Sequence, residues 1–228
     1  MPFLMTNDDG IDAEGLAALI AAATGLGAGV VVAPAGPQSG VSHTVTTGTP
    51  VRVTTHGDGR FAVHGTPADC VRVGLHHLVP SATYVLSGIN HGGNLGADVY
   101  YSGTVAAVRE GVLHGWPGIA LSHYKKKHLD YDWPRACIWV TRVLSELLEK
   151  PPGNGAFWNV NLPHLLPTDP DPEIVYCPLD PHPLPLSYRH EEAGAYYDGD
   201  YHGRRRTPGA DVDVCFGGQI AATLIRLL

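Results

Sequence analysis

The sequence predicts an α/β fold of three layers, a Rossmann-like, mostly parallel sheet with helices on both faces, followed by a β-rich C-terminal extension. Three observations predict it. Short, continuous apolar runs such as Val30–Val32 and Ile119–Leu121 read as strands buried on both faces. They alternate with stretches of helical period, such as Leu16, Leu19, Ile20 and Ala23. Gly, Pro or a capping residue marks the switches. The 228 residues fit one domain, read as an α/β core over 1–165 and an extension over 166–228 that serves as an oligomer arm.

Each element has its own signal. Phe3–Thr6 is the first strand. The helix through Leu16–Ala23 ends at Gly25 and Gly27, and the strand Val30–Val32 stops at Pro34, which completes a βαβ unit. Ala33–Gly48 is a long loop. Val51–Thr55 and Arg60–His64 pair around the turn Gly57-Asp58-Gly59. Thr66 as N-cap and Pro67 at the first helical position open a helix whose apolar face is Val71, Leu75 and Leu78. Tyr84–Leu86 is a buried strand, and Ser87–Gly96 (SGINHGGNLG) a glycine-rich loop. Ser102-Gly103-Thr104 starts a helix carrying Val105, Val108, Val112 and Leu113. Ile119–Leu121 is the next strand. Trp133–Leu148 is the longest helix, stopped by Pro151-Pro152-Gly153, and Phe157–Leu162 follows as a strand. Beyond residue 165, Glu173–Cys177, Leu186–Arg189 and Asp211–Leu227 read as short strands and loops.

Composition excludes several classes. Hydrophobic residues make up 44% and charged residues 16%, which gives a core and argues against disorder. A net charge of −7 argues against binding a nucleic-acid duplex, where Lys and Arg must meet phosphates. The four cysteines form no CxxC pair, so neither a zinc knuckle nor a disulfide framework is expected, and most read as buried thiols. No apolar run is long enough for a membrane span, and the N-terminus has no basic-then-apolar leader, so the expected location is the cytoplasm.

Ligands of an open parallel sheet sit beyond the carboxyl ends of its strands. Asn7-Asp8-Asp9-Gly10, Pro34–Ser39 and Ser87–Gly96 each follow such an end, so they should meet at one rim. Asp8, Asp9, Asn90, Asn94 and Ser39 would bring only oxygen donors, which suit Mg²⁺, Mn²⁺ or Ca²⁺ rather than zinc. Gly10 would let the chain turn so that both carboxylates reach one point. A competing reading makes Asp8 or Asp9 the cap of the next helix, and local sequence leaves both open. The glycine-rich loop and the helix start at Ser102-Gly103-Thr104 suit a phosphate, or are ordinary turns before a helix. His43 and His91 lie on the rim loops as minor contributors. Gly25–Gly29 has the wrong order for a dinucleotide loop, and neither a P-loop nor a GxSxG elbow occurs. Lys125–Lys127 and Arg204–Arg206 read as solvated loop charges.

MTNDDG (5–10), Val32–Pro34 with Ser39, GTPADC (65–70), SGINHGGNLG (87–96), YSGTV (101–105) and NVNLP (159–163) stand in the order found in the SurE family of stationary-phase survival proteins. The chain resembles that family over residues 3–163 and more loosely beyond. The resemblance implies a phosphomonoesterase acting on nucleoside 5′- and 3′-monophosphates, with one divalent metal ion per subunit. It implies Asp8, Asp9, Ser39 and Asn90 as metal ligands, Asp8 and Asp9 as catalytic residues, and Asn94, Ser102, Gly103 and Thr104 on the phosphate side. It also implies a homodimer or homotetramer whose C-terminal arms exchange. Two other readings share these residues: a phosphatase for non-nucleotide phosphomonoesters or short polyphosphate, and a non-catalytic metal- or nucleotide-binding relative. Tyr196–Arg206 has no counterpart in the resemblance.

Overall fold

The first apolar run becomes the centre of the sheet. In a computed structural model, residues 1–57, 59–126 and 128–227 are described. Asp58 of the expected turn, Lys127 of the lysine run and the terminal Leu228 lie outside them. Strand β1 (Pro2–Thr6) pairs in parallel with β2 (Ala28–Pro34) on one side and with β5 (Tyr84–His91) on the other. Beyond β2 come β4 (Arg60–His64), parallel, and β3 (Arg52–Thr55), antiparallel at the edge. Beyond β5 come β6 (Gly118–His123) and β7 (Ala156–Leu162), both parallel. The nine-stranded sheet closes with β11 (Ile220–Arg226), antiparallel to β7, and β8 (Ile174–Tyr176) at the far edge.

Alternation along β1 builds the layers. Phe3 and Met5 face a core with Leu16 and Leu19 of α1 (Glu14–Ala23) and Val140 and Leu144 of α4 (Trp133–Leu148). Leu4 faces the opposite core, with Val71 of α2 (Pro67–Val73) and Val105 and Val108 of α3 (Gly103–Leu113). Successive side chains of a strand point to opposite faces, so one five-residue strand serves both layers. Helix α2 starts as the sequence predicts: Thr66 and Asp69 form a reciprocal capping box, with Pro67 in the first turn. No described helix is long and apolar enough to cross a membrane.

Two expectations need correction. The strand expected at Tyr84–Leu86 runs on through Ser87, Gly88, Ile89 and Asn90 to His91, with a register shift against β6 between Ser87 and Asn90. A glycine makes this irregularity fit, because Gly88 has φ +133° and a Cβ there would stand 2.1 Å from the Leu121 carbonyl oxygen. Half of the expected loop is therefore strand, at the end of central β5. Beyond residue 165 the chain is β-rich as expected, but part of it joins the main sheet and part is helical. Strands β8 and β11 are part of the main sheet, because Ile220 and Ala222 are buried in the α1/α4 core while Ala221 enters a third cluster with Leu95 and Val212. Asp211–Phe216 is a helix, α5, rather than loop. Only the hairpin β9 (Tyr188–Glu191) and β10 (Gly194–Tyr197) forms a separate sheet.

Candidate active site

Three strand ends bring the acidic and polar residues together. Asp8 and Asp9 follow β1, Ser39 lies on the loop after β2, and Asn90 sits near the end of β5. All four line one cleft of about 400 Å³, with Asn94 and Ser102 in the same wall. The sheet leaves β1 in both directions, toward β2 and toward β5, so this is the switch-point crevice where open α/β sheets bind ligands. The turn that delivers the aspartates is fixed from inside. Asn7 Nδ2 donates to the Gly10 carbonyl at 2.8 Å. Gly10 has φ +104°, and a Cβ there would come within 3.1 Å of the Gly36 backbone. A side chain would therefore push the β1 loop away from the β2 loop that carries Ser39.

Neither aspartate caps α1. That helix starts at Glu14 behind Ala13, with no side-chain cap. Asp8 is instead buried against the start of α3. The Thr104 hydroxyl donates to its Oδ1, and the Thr104 N–H also reaches it. A Cβ on Gly103 would meet the Asp8 Cβ at 2.9 Å, so only glycine lets the carboxylate in this close. Burial pushes the Asp8 carboxyl up to about 6, the Thr104 hydrogen bond opposes this, and the neighbouring Asp9 charge adds to it. Asp9 is more open. Its Oδ2 accepts from the His91 N–H at 3.1 Å, and its Oδ1 lies 3.7 Å from His91 Nδ1.

The expected phosphate side divides. Ser102 and Asn94 line the cleft, although Ser102 Oγ also accepts from the Val105 N–H as the α3 cap. The Asn94 Nδ2 donates to Ser122 Oγ at 2.7 Å, and its main chain is held by Asn159 and Asn161. Gly103 and Thr104 sit behind Asp8 and do not line the cleft, because the start of α3 is taken by the carboxylate. Both residues touch Asp8.

The donor set fits a hard divalent cation. Two adjacent carboxylates repel, and one of them is buried. Asn90 Nδ2 is used on the Gly92 carbonyl at 2.9 Å, so Oδ1 is the amide atom that could serve a cation. Ser39 is exposed on the cleft and adds a hydroxyl. These are oxygen ligands of the kind that Mg²⁺, Mn²⁺ and Ca²⁺ take. Among the described residues no group of three or more His, Cys, Asp or Glu gathers, so a zinc-type cluster does not form.

Sequence reasoning missed part of the wall. Tyr101, Asp98, Leu184 and Tyr201 also line the cleft. Tyr101 is the first residue of the YSGTV motif and was within reach. Leu184 and Tyr201 arrive from the segment between β8 and α5, where no local pattern announces them. The reading of Arg204 as a solvated charge is overturned as well. It is 6% exposed, bonds both oxygens of Asp98 at 3.2 and 3.3 Å, and reaches the Leu95 carbonyl. A buried carboxylate required its partner, and that pairing spans the chain from 98 to 204. Arg205 and Arg206 are exposed.

The family described as survival protein SurE matches residues 3–180. A Nostoc protein assigned as a 5′-nucleotidase is 50% identical over 227 residues, covering 100% of each chain. The 5′-nucleotidase SurE of Pelobacter propionicus is 43% identical over 176 residues, covering 77% of this chain and 71% of its own. The crystal structure of the SurE protein from Aquifex aeolicus has a TM-score of 0.88 at 29% identity, over 100% of this chain and 94% of that one. With the family's motifs on one rim and its match spanning most of the sequence, the chain belongs to the SurE family.

Proposed function

We propose that the protein is a metal-dependent phosphomonoesterase that hydrolyses nucleoside 5′- and 3′-monophosphates to nucleoside and phosphate. The observation that carries this reading is the Asp8–Asp9 pair opening with Asn90 and Ser39 onto one cleft. Relatives named as 5′-nucleotidases support the substrate class. The 3′ activity rests on the family resemblance alone.

Asp8, Asp9, Ser39 and Asn90 would hold one Mg²⁺, Mn²⁺ or Ca²⁺ ion. Bound there, such an ion supplies Lewis acidity toward phosphoryl oxygens and makes water more acidic. The aspartate pair orients the attacking water and accepts its proton. Thr104 and Gly103 act one step back, by fixing Asp8 at the start of α3. Asn94 and Ser102 face the phosphoryl oxygens on which charge accumulates. No covalent phospho-enzyme is required.

The test is phosphate release from a panel of 5′- and 3′-nucleotides, glycerol phosphate and short polyphosphate, with Mn²⁺ or Mg²⁺ and then with chelator. Turnover of nucleotides that chelator abolishes is the expected result. No turnover on any substrate sinks the enzyme reading, chelator-insensitive turnover sinks the metal, and a preference for polyphosphate sinks the nucleotidase. The same reading has the chain form a homodimer or homotetramer through the separate β9–β10 hairpin. An isolated hairpin is marginal in water, and this one exposes Tyr188, Tyr196 and Tyr197. A monomer by light scattering would end that part of the proposal.

A further inference from the structure

The cleft is lined by two kinds of residue. Asp8, Asp9, Ser39 and Asn90 bring oxygens suited to a cation and a phosphate. Leu184 and Tyr201 bring an isobutyl group and a phenol ring into the same space, from a segment that joins β8 to α5. Phosphoryl transfer needs positioned charge and hydrogen-bond donors, and an aliphatic and an aromatic side chain supply neither to the phosphorus. They supply a surface for a flat or apolar group.

That surface is held in place. The Tyr201 hydroxyl donates to Asp98 Oδ2 at 2.7 Å, and the Arg204 guanidinium stands 4.3 Å from the ring centroid. Arg204 in turn bonds Asp98, and both are buried. Asp211 ties the two ends of the segment to the core, accepting from the Gly96 N–H and the Asp180 N–H at 2.8 Å each. Asp180 itself accepts from the His182 N–H at 2.9 Å and from the Thr207 N–H, so the stretch bearing Leu184 is closed into a loop at its base. The Tyr201 hydroxyl also lies 3.4 Å from where a Cβ on Gly93 would stand, so the side chain reaches the loop between Asn90 at the end of β5 and Asn94. The ring packs against the cluster of Leu95 and Val212, so the tyrosine is fixed both by the buried ion pair and by the core beneath it.

We infer that Tyr201 and Leu184 form the wall that takes the nucleoside half of the substrate, and so set the preference for nucleotides over small phosphate esters. The inference rests on the reading of this cleft as a nucleotidase site. It is specific to the 180–207 segment, and it gives that segment a part in the active site of its own chain.

The experiment measures kcat and KM for AMP and for glycerol phosphate with Mn²⁺, in the wild type and in Leu184→Ala, Tyr201→Ala and Tyr201→Phe. Adenosine binding by calorimetry and thermal melts run in parallel. In Tyr201→Ala the ratio of kcat/KM for AMP over glycerol phosphate should fall about tenfold, mostly through KM, as loss of one aromatic contact predicts. Leu184→Ala, at a half-buried position, should lower the ratio about threefold with an unchanged melt. Tyr201→Phe should restore most of the ratio. An equal fall on both substrates, or no fall, overturns the inference. A wild type that binds adenosine and loses that binding in Leu184→Ala, yet releases no phosphate, would overturn the nucleotidase reading and keep the nucleoside wall.

Discussion

Asp8 and Asp9 show how a residue can have two roles at once. Asp8 is a helix-terminus carboxylate, of α3 rather than of the helix that follows it in sequence. It is also a buried acid beside a second acid, which is a strained arrangement unless a cation joins it. Replacing either aspartate by asparagine keeps size and hydrogen-bond capacity but removes charge. Asp8→Asn and Asp9→Asn should each lower kcat for AMP by about 10²-fold or more, read as phosphate release. In chelator, Asp8→Asn should melt a few °C higher than the wild type, roughly what 1 kcal/mol is worth in a chain of this size. A variant that keeps full turnover, or one that melts lower in chelator, contradicts this account.

At the scale of elements, the loop after β2 has no regular structure, yet it must hold Ser39 on the rim. Separate tethers do this. The Gln38 N–H donates to the Asp8 carbonyl at 2.7 Å, Ser42 Oγ to the Tyr100 carbonyl at 2.8 Å, and Thr46 bonds Asp69 through its N–H and its hydroxyl. His43 reaches Glu110 on α3 at 2.7 Å. Glu110 is 2% exposed and also bonds Arg72 and His114. Burial alone would raise its carboxyl, but the bonds from His43, Arg72 and His114 together hold it down to about 2. A carboxyl depressed on folding stabilises the protein above its ordinary value of 4.5, and that contribution fades as pH falls toward 2. Glu110→Gln should therefore cost about 1–2 kcal/mol at pH 7, discounted because Arg72 and His114 are half exposed. Denaturant melts should show the gap between the two proteins shrinking as pH falls from 5 to 2, where the Glu110 carboxyl is half protonated. A gap independent of pH would point to packing instead.

For the whole molecule, the buried pair Asp98–Arg204 joins the two halves of the chain. Arg204→Ala leaves a buried carboxylate without its partner and should cost about 3–5 kcal/mol in a urea melt. Because Arg204 also supports Tyr201, the variant's remaining activity should show a weakened preference for nucleotides. If the melt moves by less than about 1 kcal/mol, water has replaced the pair and the segment is only loosely attached.

The sequence by itself determined the alternation of strands and helices, the start of α2 at Thr66-Pro67 and the rim on which Asp8, Asp9, Ser39 and Asn90 meet. These depend on local periodicity, caps and glycines, which act over a few residues, and on the general rule that parallel strands bind ligands at their carboxyl ends. Tertiary structure alone decided that β5 continues through the SGIN stretch and that β11 returns into the main sheet. It alone decided that Thr104 serves Asp8, that Arg204 is buried and that Tyr201 reaches the cleft. The physical reason is shared. Burial and charge pairing are satisfied by neighbours in space, and between Asp98 and Arg204 more than a hundred positions of sequence intervene.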